Sequence, residues 1–266
     1  MEKQPEDINS QGFTDVELYD KTKVNRRTFL SSLTFVAGSA LAYWGWDKLY
    51  HAPKETIADA TAGARAPLRQ VLDANGHVFK GVVDPNRLAP TYPKYKAAPK
   101  PRVNGYLGIT DKKIDNWQLN VIKSAAETIQ ISLNELRKLP RTEFAFEFKC
   151  VEGWSQISHW GGVKFSDFIK HYGLTEQAEK AYVGLHTPDK KYYVGIDMPS
   201  AMHPQTLLCY EVSGKLLSPE HGAPLRLIIP TKYGIKNLKR IGTLFFSNER
   251  PPDYWAELGY DYFSGL

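Results

Sequence analysis

The chain has 266 residues, 42% hydrophobic and 24% charged, with a formal net charge of +5. That length suffices for one large domain or two small ones. The mild charge, with no run of Lys and Arg and no basic helix interleaved with aromatics, argues against a nucleic-acid partner. The two cysteines, Cys150 and Cys209, can form at most one disulfide, and neither belongs to a CxxC pair. A disulfide-stapled mini-fold and a structural zinc ribbon are both excluded.

Residues 1–25 are polar and acidic and are expected to form a disordered segment on the cytoplasmic side. Arg26-Arg27 then precede an uncharged run from Thr28 to Trp46, closed by Asp47-Lys48. At ~1.5 Å rise per residue the run covers roughly 28 Å, just enough to cross a bilayer core. The arginines favour leaving the N-terminal end in the cytoplasm. NRRTFL is similar to the twin-arginine export signal, with Asn25 where Ser or Thr is commoner and Ser31 where Lys is common. That route exports a protein already folded around its cofactor. Ala40-Leu41-Ala42 offers a cleavage site, whereas Tyr43, Trp44 and Trp46 would suit the interfacial belt of a retained anchor. Residues 26–46 are therefore expected to be a signal or a transmembrane anchor, touching the membrane through 28–46 if uncleaved.

Residues 47–101 are expected to wrap over a surface in extended form, because prolines at 90, 93, 99 and 101 forbid helix and central strand. A short helix, APLRQVLDANG, precedes the prolines and is expected to end at Gly76. Residues 102–266 read as a single mixed, strand-rich α+β domain. WQLNVI (117–122) is a predicted strand and SLNELRKLP (132–140) a short helix stopped by Pro140. In the next strand Phe144, Phe146 and Phe148 alternate with polar or small residues, which puts Cys150 in phase and facing inward. Glu152-Gly153-Trp154 is then a predicted turn by which the chain leaves the sheet. KFSDFIKHYG is a helix with Ser166 as N-cap and Gly173 as stop. AYVGLH, KYYVGID, TLLCYEV, LRLIIP and GTLFFS are strands, with SGK (213–215) a tight turn. The remaining stretches, RVNGYLG, CVEGWSQISHWGG, PSAMHPQT, SPEHGAP and TKYGIKNLKR, read as long functional loops.

A buried free cysteine is ordinarily a small hydrophobe, and Cys209, mid-strand among apolar neighbours, fits that description. Cys150, at a strand end opening into a Gly- and Trp-containing loop, also suits a soft metal ligand. YGIKNLKR gathers Lys232, Lys236, Lys239 and Arg240 around Gly234 and Asn237 without an acid. It is either a solvated face or a phosphate-binding loop. No Walker or GxGxxG fingerprint accompanies it. His221 and Arg226 flank a Gly-Ala-Pro turn, and His159, His171, His186 and His203 are scattered without zinc spacing. Ser155 and Ser158 lack a GxSxG elbow.

Taken in order, FKCVEGWS, AMHPQTLL, HGAPLRLIIPTKYGIKNLKRI and ERPPDYW resemble the molybdopterin-binding domain of the sulfite oxidase family, over roughly residues 100–263. Within it they are most similar to the periplasmic methionine-sulfoxide reductase catalytic subunits. The resemblance implies one molybdenum–molybdopterin cofactor per chain and, residue by residue, a site. Cys150 matches the cysteine that gives its thiolate to molybdenum. Asn104, Leu107 and Gly108 match the loop against the pterin, and Thr187 a pterin-contacting threonine. His221 and Arg226 match the pair flanking the HGxPxR turn. Asn237, Leu238 and Lys239 match the segment at the cofactor's phosphate end, and Tyr260 the active-site tyrosine.

Sulfite oxidases carry arginines after the metal cysteine, whereas Val151-Glu152-Gly153-Trp154 follow here. That favours a neutral or weakly polar substrate, such as a small-molecule or protein-bound S-oxide, over sulfite. The chain ends at Leu266 without the dimerisation or haem domain of sulfite oxidases, so a monomer is expected, exchanging electrons with a membrane cytochrome b or another redox partner. The expected setting is the periplasmic side. A same-fold enzyme for sulfite or an N-oxide, and a non-catalytic anchored subunit, are the competing readings.

Overall fold

The computed structural model describes residues 25–54, 65–82, 87–109 and 116–266. The expected disorder of the first 24 residues lies outside them. The chain divides into two compact units, 1–52 and 53–266.

In the first unit, α1 runs over Arg26–His51, and Asn25 caps it by accepting from the Thr28 N–H at 2.8 Å. Lys48 and His51 in its last turn suit the negative end of the helix dipole. The helix therefore contains the whole predicted signal and extends past Trp46. Among the described residues, however, no helix is long and apolar enough to cross a membrane. The expected transmembrane anchor is not met: Ser31, Ser32, Thr34, Gly38 and Ser39 dilute the apolar run.

The second unit opens with α2 (Ala66–Val82), which passes through Gly76 instead of ending there. An interior glycine costs a helix only about 1 kcal/mol. Then follow β1 (Thr91–Tyr92), β2 (Gln118–Ile122), β3 (Thr128–Ser132), α3 (Leu133–Leu136), β4 (Arg141–Lys149) and β5 (Ser155–Lys164). After these come α4 (Phe165–His171), β6 (Tyr182–His186), β7 (Tyr193–Asp197), α5 (Met198–Ala201), β8 (Leu207–Val212) and β9 (Lys215–Leu216). The last are β10 (Arg226–Ile228), β11 (Thr243–Ser247) and α6 (Tyr254–Glu257).

One sheet has the order β1-β4-β5-β8-β10, with β9 on β8, and the other β3-β2-β11-β6-β7. All pairings are antiparallel except β11 with β2. The fold is thus mixed α+β and strand-rich, as expected. The proline segment supplies the two-residue edge strand β1, makes a 3-10 turn over Lys94–Lys96, and binds β5 through the Ala98 N–H on the Ile157 carbonyl at 2.9 Å.

Two differences matter for the site. The chain does not leave the sheet after Cys150: it reverses into β5, pairing Lys149 with Ser155. The SQISHWGGVK stretch hides this strand because its glycines answer to packing. A Cβ at Gly162 would sit 2.2 Å from the Leu208 carbonyl oxygen on β8. The second difference is at α4, whose N-cap is Lys164, with Ser166 already inside the helix. Gly173 does end that helix, with φ +64°. β3 was not anticipated, while Ser132 and Glu135 form a capping box that starts α3.

Beside β1, Glu143 binds Lys94, Arg141 at 2.5 Å and, at 3.3 Å, the His159 imidazole. The Lys94 hydrogen bond first, and Arg141 with it, hold the carboxyl at about 2, against 4.5 for a free one. The folded pKa is depressed, so the resulting stability is complete above pH 4.5 and fades as pH falls toward 2. Glu143→Gln is expected to cost about 1 kcal/mol at pH 7 after solvent screening. In urea titrations the gap from the parent should close on acidification.

Candidate active site

The β4–β5 hairpin positions Cys150. Its N–H donates to the Trp154 carbonyl at 2.9 Å, and Gly153, at φ +87°, donates to the Cys150 carbonyl at 3.1 Å. A left-handed residue is needed there, which only glycine adopts cheaply. The thiol is half-buried one residue past the end of β4, where the chain enters the turn to β5. The Asn104 amide nitrogen lies 3.9 Å from its sulfur and 3.0 Å from the Glu152 carboxylate. Glu152 also accepts from the Trp154 indole N–H at 3.0 Å. Trp154 packs against Phe148, stacked at 6.2 Å, and against Arg102, 4.7 Å from the ring centre.

Behind this hairpin lies a buried cation. Arg226, on β10, is only 3% exposed and donates to the carbonyls of His221 at 3.0 Å and Asn237 at 3.2 Å. No carboxylate among the described residues pairs with it, and its Nε has no partner. Its guanidinium lies 4.7 Å from the centre of the Trp160 ring, and burial pushes its pKa down to about 10. His221 shares Nδ1 with the Ser218 hydroxyl at 2.9 Å, while its Nε2 is buried without a hydrogen bond. Burial first, then Arg226, lowers the His221 pKa and favours the neutral ring, against the nearby Pro101 carbonyl and Glu220. The ring meets Trp160 edge-on at 6.5 Å, and the Trp160 Nε1 is likewise buried and unpartnered. Trp160 was not singled out from the sequence, although it lies in the CVEGWSQISHWGG stretch read there as a functional loop.

The cationic loop does not work as its composition suggested. Lys232 pairs with Asp197 at 2.9 Å and Lys236 with Asp253, so distant acids neutralise both. The Lys239 ammonium donates to three carbonyls, those of Asn104 at 2.7 Å, Gly105 at 2.9 Å and Glu220 at 2.8 Å. It therefore ties the Asn104 loop to the turn before His221. Burial, then Arg226, pushes its pKa to about 7, with Glu220 opposing. Asn237 staples its own loop, accepting from the Ile229 N–H at 2.7 Å and donating to the Tyr233 carbonyl at 3.0 Å, and Leu238 is core.

A second group lies together: Gly108, at φ +74°, packs so closely on Thr187 that a Cβ would come within 2.4 Å of its methyl. Leu107 packs against the core, and the Thr187 hydroxyl is engaged by Asp189 at 2.6 Å. Tyr260 is 40% exposed and meets Trp255 edge-on at 5.2 Å. Among the described residues no hydrogen bond or ring contact joins it to the Cys150 group.

An uncompensated buried guanidinium with an unpartnered Nε, beside the unpartnered ring nitrogens of His221 and Trp160, suits a large polar anion, and the Cys150 thiol suits a soft metal. Among the described residues no three His, Cys, Asp or Glu side chains converge as a metal site. A single cysteine sulfur beside an uncompensated buried guanidinium fits a metal carried by its own anionic organic ligand.

A protein of Azospira oryzae named "Putative protein-methionine-sulfoxide reductase subunit YedZ1" is 38% identical over 72% of this chain and 73% of its own length. The "Protein-methionine-sulfoxide reductase catalytic subunit MsrP" of Campylobacter jejuni is 30% identical over 58% of this chain. The match spans 60% of that relative's length. The sulfane dehydrogenase SoxCD of Paracoccus pantotrophus is a weaker structural likeness, with TM-score 0.47 and 16% identity over 53% of this chain and 41% of that one. Residues 106–255 match the oxidoreductase molybdopterin binding domain. That span holds Cys150, Trp160, His221, Arg226 and Lys239, and the chain belongs to the oxidoreductase molybdopterin-binding domain family.

Proposed function

We propose that the chain is a molybdenum–molybdopterin oxidoreductase that reduces an S-oxide such as methionine sulfoxide, free or protein-bound. The observation that carries this reading is the cluster of unpartnered Trp160, His221 and Arg226 nitrogens behind Cys150. In this reading Cys150 gives its thiolate to the metal, and the bound cofactor supplies two-electron oxygen-atom transfer. The chain's residues bind and orient. Arg226 provides positive charge in a water-poor site, neutral His221 and Trp160 offer ring nitrogens, and Lys239 holds the Asn104 loop. Leu107, Gly108 and Thr187 line the pterin side, and the 237–239 segment backs the phosphate end through its fold. Tyr260, whose hydroxyl makes no hydrogen bond to a described residue, is assigned the donation of one to the substrate oxygen. The aromatic wall of Trp154, in a run after Cys150 that contains no arginine, favours a weakly polar oxide over sulfite.

The twin arginines that open α1 support export in folded form, with action on the periplasmic side and electrons from a membrane cytochrome b. Expression of the full chain with cofactor synthesis intact tests the reading. About one molybdenum per chain is expected, together with sulfoxide-dependent oxidation of a reduced viologen dye. A wild-type protein without molybdenum would overturn it. Arg226→Met should separate binding from folding. The metal-free variant should be no less stable than its parent, since a buried uncompensated charge is gone along with two hydrogen bonds. Its molybdenum content should fall about tenfold or more.

A further inference from the structure

We propose that Glu152 is a positioning residue: its carboxylate, locked by Trp154, holds the Asn104 amide against the Cys150 sulfur. The inference rests on the reading of Cys150 as the metal's thiolate ligand. One carboxylate oxygen, Oε2, accepts from both the Trp154 indole and the Asn104 amide, each at 3.0 Å. A glutamate at an exposed hairpin tip would ordinarily wander among rotamers, and a single hydrogen bond there would be worth little. Here the indole it grips is itself packed, with Phe148 stacked at 6.2 Å and the Arg102 guanidinium 4.7 Å from the ring centre. Rigidity thus passes from the ring to the carboxylate and from there to the amide.

Asn104 is also fixed from its backbone, where its carbonyl accepts from Lys239 at 2.7 Å. An amide nitrogen has two N–H donors. With one on Glu152, the other is available to the sulfur, which at 3.9 Å lies at the far end of N–H···S range. Small displacements of the amide then decide whether the contact exists. A hydrogen bond to a ligating sulfur draws electron density from it and favours the reduced metal.

The test compares Glu152→Ala with Glu152→Gln in the holoenzyme, since both lose the same charge but only Gln keeps an acceptor for Trp154 and Asn104. Trp154→Phe, which keeps the charge and the stack while losing the indole N–H, is the second probe. Molybdenum content, the Mo(V) midpoint potential by spectroscopically monitored redox titration, and the kcat and KM for methionine sulfoxide are measured. Glu152→Ala should retain molybdenum, show a lower potential than Glu152→Gln, and have a kcat about tenfold lower at similar KM. Trp154→Phe should lie below wild type in potential. Equal potentials and kcat for the two Glu152 variants would overturn the proposal. Loss of molybdenum from Glu152→Ala alone would also overturn it, by making Glu152 part of the cofactor's own binding. Absence of molybdenum from wild type would instead sink the molybdoenzyme reading.

Discussion

Cys150→Ser is expected to fold like its parent yet lose molybdenum and turnover together. The side chain is half-buried just past the end of β4, and among the described residues its polar contact is the 3.9 Å approach of Asn104, so the exchange removes little packing. What changes is the donor. A thiolate is soft and forms readily near neutral pH, whereas a serine hydroxyl is hard and keeps its proton. Outer-shell changes around metals cost about 10–100-fold, and loss of a direct ligand should exceed that in sulfoxide reduction. Elemental analysis per mole of chain, beside the viologen assay, measures both. A serine variant with full metal and full rate would remove Cys150 from the proposed role.

Cys209→Ser should do the reverse. Cys209 is fully buried, its thiol pushed up to about 12 by burial, and it belongs to the cluster of Phe146, Trp160 and Ile228. Placing a hydroxyl there should lower stability by about 1–3 kcal/mol and leave the molybdenum content unchanged.

These two cysteines mark how far the sequence could be read. Strands with dense apolar content, such as Leu207–Val212 and Thr243–Ser247, were legible because their side chains declare burial locally. β5 was not, since Gly162 stands where the β8 backbone comes too close for a side chain, and that need arises from a strand remote in sequence. Alternation gave Cys150 an inward phase, and the residue stands half-buried just past the end of β4, before the Gly153 turn. The ordered motifs located the Asn104, Cys150, His221, Arg226 and Lys239 group. They could not show that Lys239 spends its protons on three carbonyls, or that Trp160 turns an unpartnered nitrogen toward the same neighbourhood. Both depend on which loops meet in space.

Lys236 is where composition and structure diverge most, and it carries the largest expected stability effect. Its side chain is 1% exposed and that of its partner Asp253 2%. Lys236 also donates to the Gly195 carbonyl at 3.2 Å and lies 4.2 Å above the Tyr262 ring. Asp253 accepts from the Gly195 N–H at 3.2 Å and from Ala256 at 3.1 Å, capping α6. Burial drives the lysine's pKa down and Asp253 opposes it, so the pair stays charged only while both partners remain. Lys236→Met strands the carboxylate in the interior, which costs about 3–5 kcal/mol. For a domain of this size that lowers Tm by roughly 10 °C. Asp253→Asn should cost less, because the stranded lysine can shed its proton and asparagine can still cap the helix. The double variant should recover about 2 kcal/mol relative to the sum of the singles, as a direct pair requires. The molybdenum content of the folded fraction is the decisive companion measurement. A lysine that bound the cofactor's phosphate would lose metal at unchanged Tm, whereas a buried structural pair loses Tm while each surviving folded chain keeps its molybdenum.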